Sequence, residues 1–239
     1  MESRLNGQPT LPSVGRLCFR AAIPEIAVAA ECLNAAISAH IAGDREQAAS
    51  LISAANIPAI REWVESLWGE PSPYRQFRSV PDAPPILSRA QRLVLRMPNS
   101  TEKKLLLERD GFHCRFCGIP VIRAEIRNRL RKLYPDALPW PTDSNKHQHP
   151  AFQAMWVQYD HILPHARGGT NELENMLITC APCNYARMYY TLEEVGLADP
   201  RFREPVRSSW DGLERLLNPK ATDVFTVTSI DVNPASASG

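Results

Sequence analysis

No apolar run in this sequence approaches the roughly 18 residues that a membrane-crossing helix needs. The most apolar stretch, Ala27 to Ala42, is interrupted by Glu31, Asn34, Ser38 and His40 and reads as a buried helix. A charged start followed by an apolar core and a small-residue cleavage site is missing too, so a cytoplasmic protein without a membrane partner is expected, and a secreted disulfide framework is not. Net charge is scarce: 27 Lys and Arg against 26 Asp and Glu leave +1. The field of the whole molecule therefore does not advertise a polyanionic partner, and any nucleic-acid site has to come from local clustering. There is no internal repeat. What the 239 residues do supply is 44% hydrophobic side chains, sufficient for an ordinary core in one or two domains.

Six cysteines are present, four of them in two pairs, Cys114-x-x-Cys117 and Cys180-x-x-Cys183. Such a pair puts two thiolates on one tight turn, and two turns give the closed tetrahedral sulfur set of a structural Zn²⁺ site. A redox motif or buried core cysteines are the competing readings. The gap of 62 residues between the pairs (180 − 117 − 1) is much longer than the spacing of a simple zinc ribbon, so further structure is expected inside it. His113 lies in the first turn, but four thiolates already close the site. Cys18 and Cys32 sit in apolar surroundings and read as small buried hydrophobes.

Along the chain, residues 1–20 are polar, contain Pro9 and Pro12, and read as a loose arm. A helical bundle is expected over 21–69. Its first helix starts near Pro24 and stops at Gly43, its second is capped by Asp44 with Gln47, and its third runs from Pro58 to Gly69. Pro71, Pro73, Pro81, Pro84 and Pro85 make 70–87 a linker. Ser88 predicts a helix through Met97, and Ser100 or Thr101 another that ends at Gly111. Further helices are predicted over Ile122 to Leu133, from Thr191 with Glu194 as capping partner, and near Trp210 to Leu217. The Ser, Ala, Thr and Asn content of 218–239 predicts a disordered tail.

Three stretches carry a resemblance: Leu107 to Gly118 around the first cysteine pair, Tyr159-Asp160-His161-Ile162-Leu163-Pro164 with its continuation to Asn171, and Glu174-Asn175 through to Cys183-Asn184. Together they resemble the zinc-bearing HNH endonucleases. The resemblance covers about 106–190, within a nuclease domain placed at 88–217 and carrying an insert at 119–156. It implies an α+β fold in which the N-terminal helical bundle precedes a ββα-metal core. The core would comprise a strand ending at Asp160-His161, a loop, a strand over Met176 to Thr179, and a helix opening near Pro182. It also implies roles: His161 as general base, Asp160 and Asn184 as ligands of a catalytic divalent ion, and Asn175 as the residue that holds the loop.

The chemistry of the residues agrees with such roles. Phosphodiester hydrolysis needs an activated water and a cation to absorb charge on the phosphate and the leaving oxygen. One carboxylate and one amide oxygen suffice for a hard cation that keeps its waters and takes further oxygens from the substrate. Asn184 stands where the family often has histidine, which favours Mg²⁺ or Mn²⁺ over Zn²⁺ or Ni²⁺ at that position. Neighbouring residues of a strand point to opposite faces, so a bend is required to aim both Asp160 and His161 at one site. Taken singly, each residue has a bland alternative: a hydrogen-bonded surface pair for Asp160-His161, a turn for Asn175, a helix-start cap for Asn184. His147 and His149 look like a metal pair, but solvated surface histidines are the expected account.

Contacts to the nucleic acid are expected from two groups. Arg123, Arg127 and Arg131 recur at steps of four on the insert helix opposite an apolar face, so they read either as phosphate contacts or as a solvated charged face. His165, Arg167 and Arg187 stand near the motif and read as phosphate contacts or as loop decoration. DNA is the expected substrate, with RNA, a special DNA structure, or a lapsed site that only binds nucleic acid as alternatives. The helical bundle at 21–69 has no recognisable reader motif, leaving a protein partner, DNA binding or bracing of the nuclease domain open.

Overall fold

Two prolines and an aspartate set where the first three helices begin. Proline lacks the N–H that a helix start leaves unbonded and holds the φ a helix needs, and Pro24 opens α1 (Pro24–Ile41) while Pro58 opens α3 (Pro58–Trp68). Asp44 caps α2 (Arg45–Ala54) by accepting the Gln47 amide at 2.9 Å. The computed structural model describes residues 15–68 and 71–218. The expected arm over 1–14, the stop at Gly69 and the tail over 219–239 lie outside the described residues. Helix α4 (Ser100–Asp110) is capped by Asn99, one residue before Ser100 and two before Thr101, the caps named from sequence: Asn99 accepts the Glu102 amide while the Glu102 carboxylate takes the Asn99 N–H.

The remainder of the regular structure is α5 (Ala124–Leu133), α6 (Pro150–Ala154), β1 (Val157–His161), β2 (Met176–Cys180) and α7 (Ala181–Arg187). The two strands pair antiparallel from Val157 opposite Cys180 to His161 opposite Met176, and α7 follows β2 directly. This is a helix-dominated α+β fold with a small two-stranded sheet and a helix after it, the order a ββα HNH core requires. No described helix is long and apolar enough to cross a membrane.

Three predicted helices do not form as expected. Ser88 and Gln91 make their reciprocal cap bonds, but only the single 3-10 turn Arg89–Gln91 follows. From Arg92 the chain extends, because Leu93, Val94 and Leu95 have no apolar face to pack on, and the carbonyls of Leu93 and Leu95 are bonded by His165 and Asn171 instead. Thr191 and Glu194 also cap each other, yet the Glu194 carboxylate is held by Arg167 and Gly196 turns left-handed, leaving a turn. Over Trp210 to Leu217 the left-handed pair Gly212 and Leu213 permits only the 3-10 turn Glu214–Leu216.

The core is continuous. Helix α3 packs Trp63, Val64 and Leu67 toward α6 and α7, and α1 lies on α2 and α6, so the N-terminal helices and the strand region share one hydrophobic cluster. The proline-rich segment crosses this body bonded to it, not free of it: Arg78 N–H donates to Glu194 O, Leu87 N–H to Ala166 O, and Phe77 stacks on Tyr190. Residues 15–20, expected within the loose arm, are fastened as well. Arg16 exchanges backbone bonds with Gly196 and Ala198, and Phe19 is buried.

His149, expected at the surface, is buried with no exposed area, at the N-terminus of α6. Its Nε2 donates to the Ile52 carbonyl of α2 at 2.9 Å, while Nδ1 has no partner, so the ring belongs in the neutral form. His147 alone stays exposed, and the two do not form a metal pair. Burial drives the His149 pKa from 6.5 down to about 4. A depressed histidine contributes stability that is whole above the unfolded pKa and is lost as the pH falls toward the folded one. Acidification from pH 6.5 to 4 is therefore expected to cost the protein about 3 kcal/mol through this ring. Urea titrations should show that loss in the parent and a shallower pH dependence in His149→Gln; equal slopes would dismiss the assignment.

Candidate active site

The first cysteine pair sits on a turn that follows α4. Gly118 N–H bonds Cys114 O, Cys114 N–H bonds Ile119 O, and Gly118 adopts φ +77°, a conformation that favours glycine. Cys180 ends β2 and Cys183 falls in the first turn of α7. The Arg115 N–H donates to Ile178 O, which ties the first turn to β2 and brings the pairs together. All four sulfur atoms lie within 4.8 Å of one another, with Cys117 and Cys180 3.6 Å apart. A tetrahedral zinc at about 2.3 Å from each thiolate gives sulfur edges of about 3.8 Å, so this donor set fits the ion. His113 takes no part: Nδ1 bonds Gly111 O and Nε2 faces the Ser208 hydroxyl.

Asp160 and His161 end β1 and, although adjacent, open onto the same cleft of about 820 Å³ together with Asn184 and His165. The expected bend does not interrupt the ladder, which runs regularly to His161 opposite Met176, and Asp160 Oδ1 accepts the His161 backbone N–H at 2.8 Å. Asp160 Oδ2 has no hydrogen-bond partner, though Arg187 Nη1 stands 3.2 Å away. Burial pushes the Asp160 carboxyl up, opposed by the Arg187 charge and the His161 amide. Burial likewise lowers the pKa of His161, with Asn171 and Asp160 acting in the other direction and His165 and Arg187 adding to the fall.

The protonation state of His161 follows from its hydrogen bonds. Asn171 Nδ2 donates to the Leu95 carbonyl at 3.1 Å, and a carbonyl only accepts, so the other end of the amide, Oδ1, faces His161 Nε2 at 2.9 Å. Nε2 therefore carries the hydrogen. Nδ1 is left with a lone pair and no partner among the described residues. Behind the cleft Asn175 staples the connecting loop: Oδ1 accepts Leu163 N–H, and Nδ2 donates to Thr170 O and Leu163 O. The approach is close enough that a Cβ at Gly169 would fall 1.8 Å from Leu163 O.

Most arginines singled out from sequence are held inside the molecule. Arg187 is fully buried, facing Asp160 and donating to the His161 carbonyl, so it balances the carboxylate and clamps the strand end instead of reaching a phosphate. Arg167 is buried against Glu194 at 2.7 Å and also binds Tyr189 O and Pro84 O. Arg123 makes a two-pronged pair with Glu214 at 2.6 Å. Arg127 is buried with its guanidinium over Trp140 and Trp156, at 4.0 and 4.8 Å from the ring centres. Arg131 is exposed. The expected row of three presented arginines on α5 is thus not a row: a step of four residues advances about 400°, and the apolar stripe is wide enough to take in Arg127. His165 lies at the cleft, its ring 5.7 Å from that of His161 and its Nε2 on the Leu93 carbonyl.

Three groups were not identified as site residues from sequence. Asn171 was read only as part of the motif. Arg109 and Asp110 lock α4 to the strand: buried Asp110 accepts the Ile178 amide and both prongs of Arg109, which itself donates to Leu173 O and Met176 O. Arg89, Arg92 and Arg96 line the same cleft as Asp160 and His161. The signal for these three was a run from Ser88 to Met97 with three cations and no acid. No curated protein and no solved structure matches the chain. The family model of the HNH endonucleases matches residues 146–187, which span α6, both strands and α7. An HNH domain implies nuclease activity and metal binding, and residues 146–187 carry that family's signature on a ββα fold whose four-cysteine cluster is consistent with its zinc-binding form.

Proposed function

We propose that the protein is a metal-dependent DNA endonuclease, with a structural zinc on Cys114, Cys117, Cys180 and Cys183 and a separate Mg²⁺ or Mn²⁺ held by Asp160 and Asn184. The observation that carries this reading is the pairing, in one cleft, of a histidine whose Nδ1 lone pair is open with a buried carboxylate whose Oδ2 makes no hydrogen bond and faces Arg187 at 3.2 Å. The Asp160 carboxylate, which Arg187 faces from the buried side, and the Asn184 amide oxygen are hard oxygen donors of the kind magnesium prefers. When bound there, a divalent ion supplies charge stabilisation at the phosphate and the leaving oxygen.

His161 Nδ1 takes the proton of the attacking water. The resulting imidazolium keeps its Nε2–H on Asn171 Oδ1 and sits beside the Asp160 charge. Asn175 keeps the loop at the height this requires, and Arg187 holds Asp160 in place through the fully buried pair. General-base assistance of this sort contributes about 10² to 10⁴ in rate.

Supercoiled plasmid incubated with the purified protein is expected to be nicked or linearised when Mg²⁺ or Mn²⁺ is added and left intact when both are omitted. Omission is the informative control, because a chelator also attacks the cysteine site. Plasmid that survives both metals, with zinc in place and the protein folded, rejects the nuclease reading.

A further inference from the structure

We infer that the 3-10 turn Arg89–Gln91 and the extended segment after it form a nucleic-acid-binding strap, in which Arg89, Arg92 and Arg96 hold backbone phosphates and the Leu93-Val94-Leu95 tip lies against the groove floor of a bound duplex. The inference rests on the nuclease reading for its location, but it concerns residues that lie outside the span matched by the family model.

Charge is the first support. Arg89 and Arg96 are exposed and have no hydrogen-bond or ion-pair partner among the described residues, and Arg92 uses only Nε, on the Leu87 carbonyl. Among the described residues Asp160 is the only acid that lines the cleft, and it already faces Arg187. Cations gathered without counter-charge around such a cleft suit a phosphodiester chain. Arg123, Arg127, Arg167 and Arg187 offer no substitute, since each is engaged within the protein.

Placement is the second support. The strap is fixed by two bonds, Leu93 O to His165 Nε2 and Leu95 O to Asn171 Nδ2, both made to residues beside His161. A phosphate seated on the arginines is then held close to the histidine by structure, not by chance collision. The third support is apolar. Val94 is 99% and Leu95 76% exposed, between cations and beside the cleft. Aliphatic wedges flanked by arginine are the means by which proteins grip a minor groove, so the tip and its neighbours fit one occupant.

The test uses full-length, zinc-loaded protein and fluorescein-labelled duplexes of unrelated sequence, with anisotropy followed over a range of salt. Replacing Arg89, Arg92 and Arg96 together by Gln is expected to weaken every duplex about equally, by roughly tenfold or more, and to flatten the salt dependence by up to about three units of slope. Val94→Ser with Leu95→Ser is expected to weaken binding with the salt slope unchanged. Arg131→Gln serves as a control for any exposed arginine. Zinc content and the circular dichroism spectrum, unchanged in all variants, certify folding. Parental affinity and slope in the triple variant overturn the inference, whether or not the change abolishes binding to anionic phospholipid vesicles. A parent that binds duplex through these arginines yet never cuts plasmid leaves the strap standing and removes the nuclease reading.

Discussion

Cys180→Ser is expected to yield a protein that holds less than one zinc per chain and shows no cooperative thermal transition. Structural zinc contributes about 10 to 16 kcal/mol of apparent binding energy in small domains, as much as or more than the about 5 to 15 kcal/mol by which an ordinary domain is stable. Cys180 is the most consequential of the four ligands. It closes β2, caps α7, and stands 3.6 Å from Cys117 across the joint between the two turns. Losing it loosens β2 and the helix that carries Asn184 and Arg187 from the turn that carries Cys114 and Cys117. The comparison is Cys32→Ser, a half-buried cysteine outside the cluster, expected to melt within a few degrees of the parent. Elemental analysis and a melting curve decide. A Cys180→Ser protein that melts like the parent contradicts the zinc assignment.

His161→Ala is expected to lose about 10² to 10⁴ in cleavage rate at saturating DNA, with duplex affinity and zinc content close to parental. A base acts on the transition state and adds little to ground-state binding, which separates this variant from the strap variants. The pH profile gives a second reading of the same group. Because burial lowers the His161 pKa, the neutral, competent form persists below the ordinary value of about 6.5. Cleavage should therefore be level through neutrality and fall only as the pH drops through that depressed value. Asn171→Ala removes a partner that raises the pKa, so its acid limb should move to still lower pH while the rate drops from loss of the fixed tautomer. A parental rate in His161→Ala, or an acid limb above pH 6.5, refutes the role given to this ring.

Local signals in the sequence were reliable where the residue acts on its own backbone. Pro24, Pro58 and Asp44 begin helices because their effects extend over one turn, and the cysteine pairs meet because each builds its own turn before any partner arrives. The gathering of the motif residues was legible for a related reason: Asp160, His161, Asn175 and Asn184 fall within one strand–loop–strand–helix unit. What escaped was set by distant partners. Arg127 looks like a presented charge until Trp140 and Trp156 close over it, and Arg167 until Glu194 does. His149 looks solvated until the carbonyl of Ile52, 97 residues away, accepts a hydrogen bond from its ring N–H. Ser88 to Met97 has helix-like spacing, but its carbonyls bond to His165 and Asn171, whose positions nothing within the segment reveals.

The shared core also sets a schedule for the protein's synthesis. Helices α1 to α3 leave the ribosome before α6 and α7, yet the face of α3 that holds Trp63, Val64 and Leu67 is completed only by those later helices. Arg187, the end of α7, follows Trp68 by 119 residues (187 − 68), a delay of roughly 6 to 24 s at about 5 to 20 residues per second. During that interval the nascent chain presents an apolar surface and a thiol pair whose partners do not yet exist. Chains halted between α3 and α7 should therefore require chaperone cover, and the helices that are made first will be among the last to become stable.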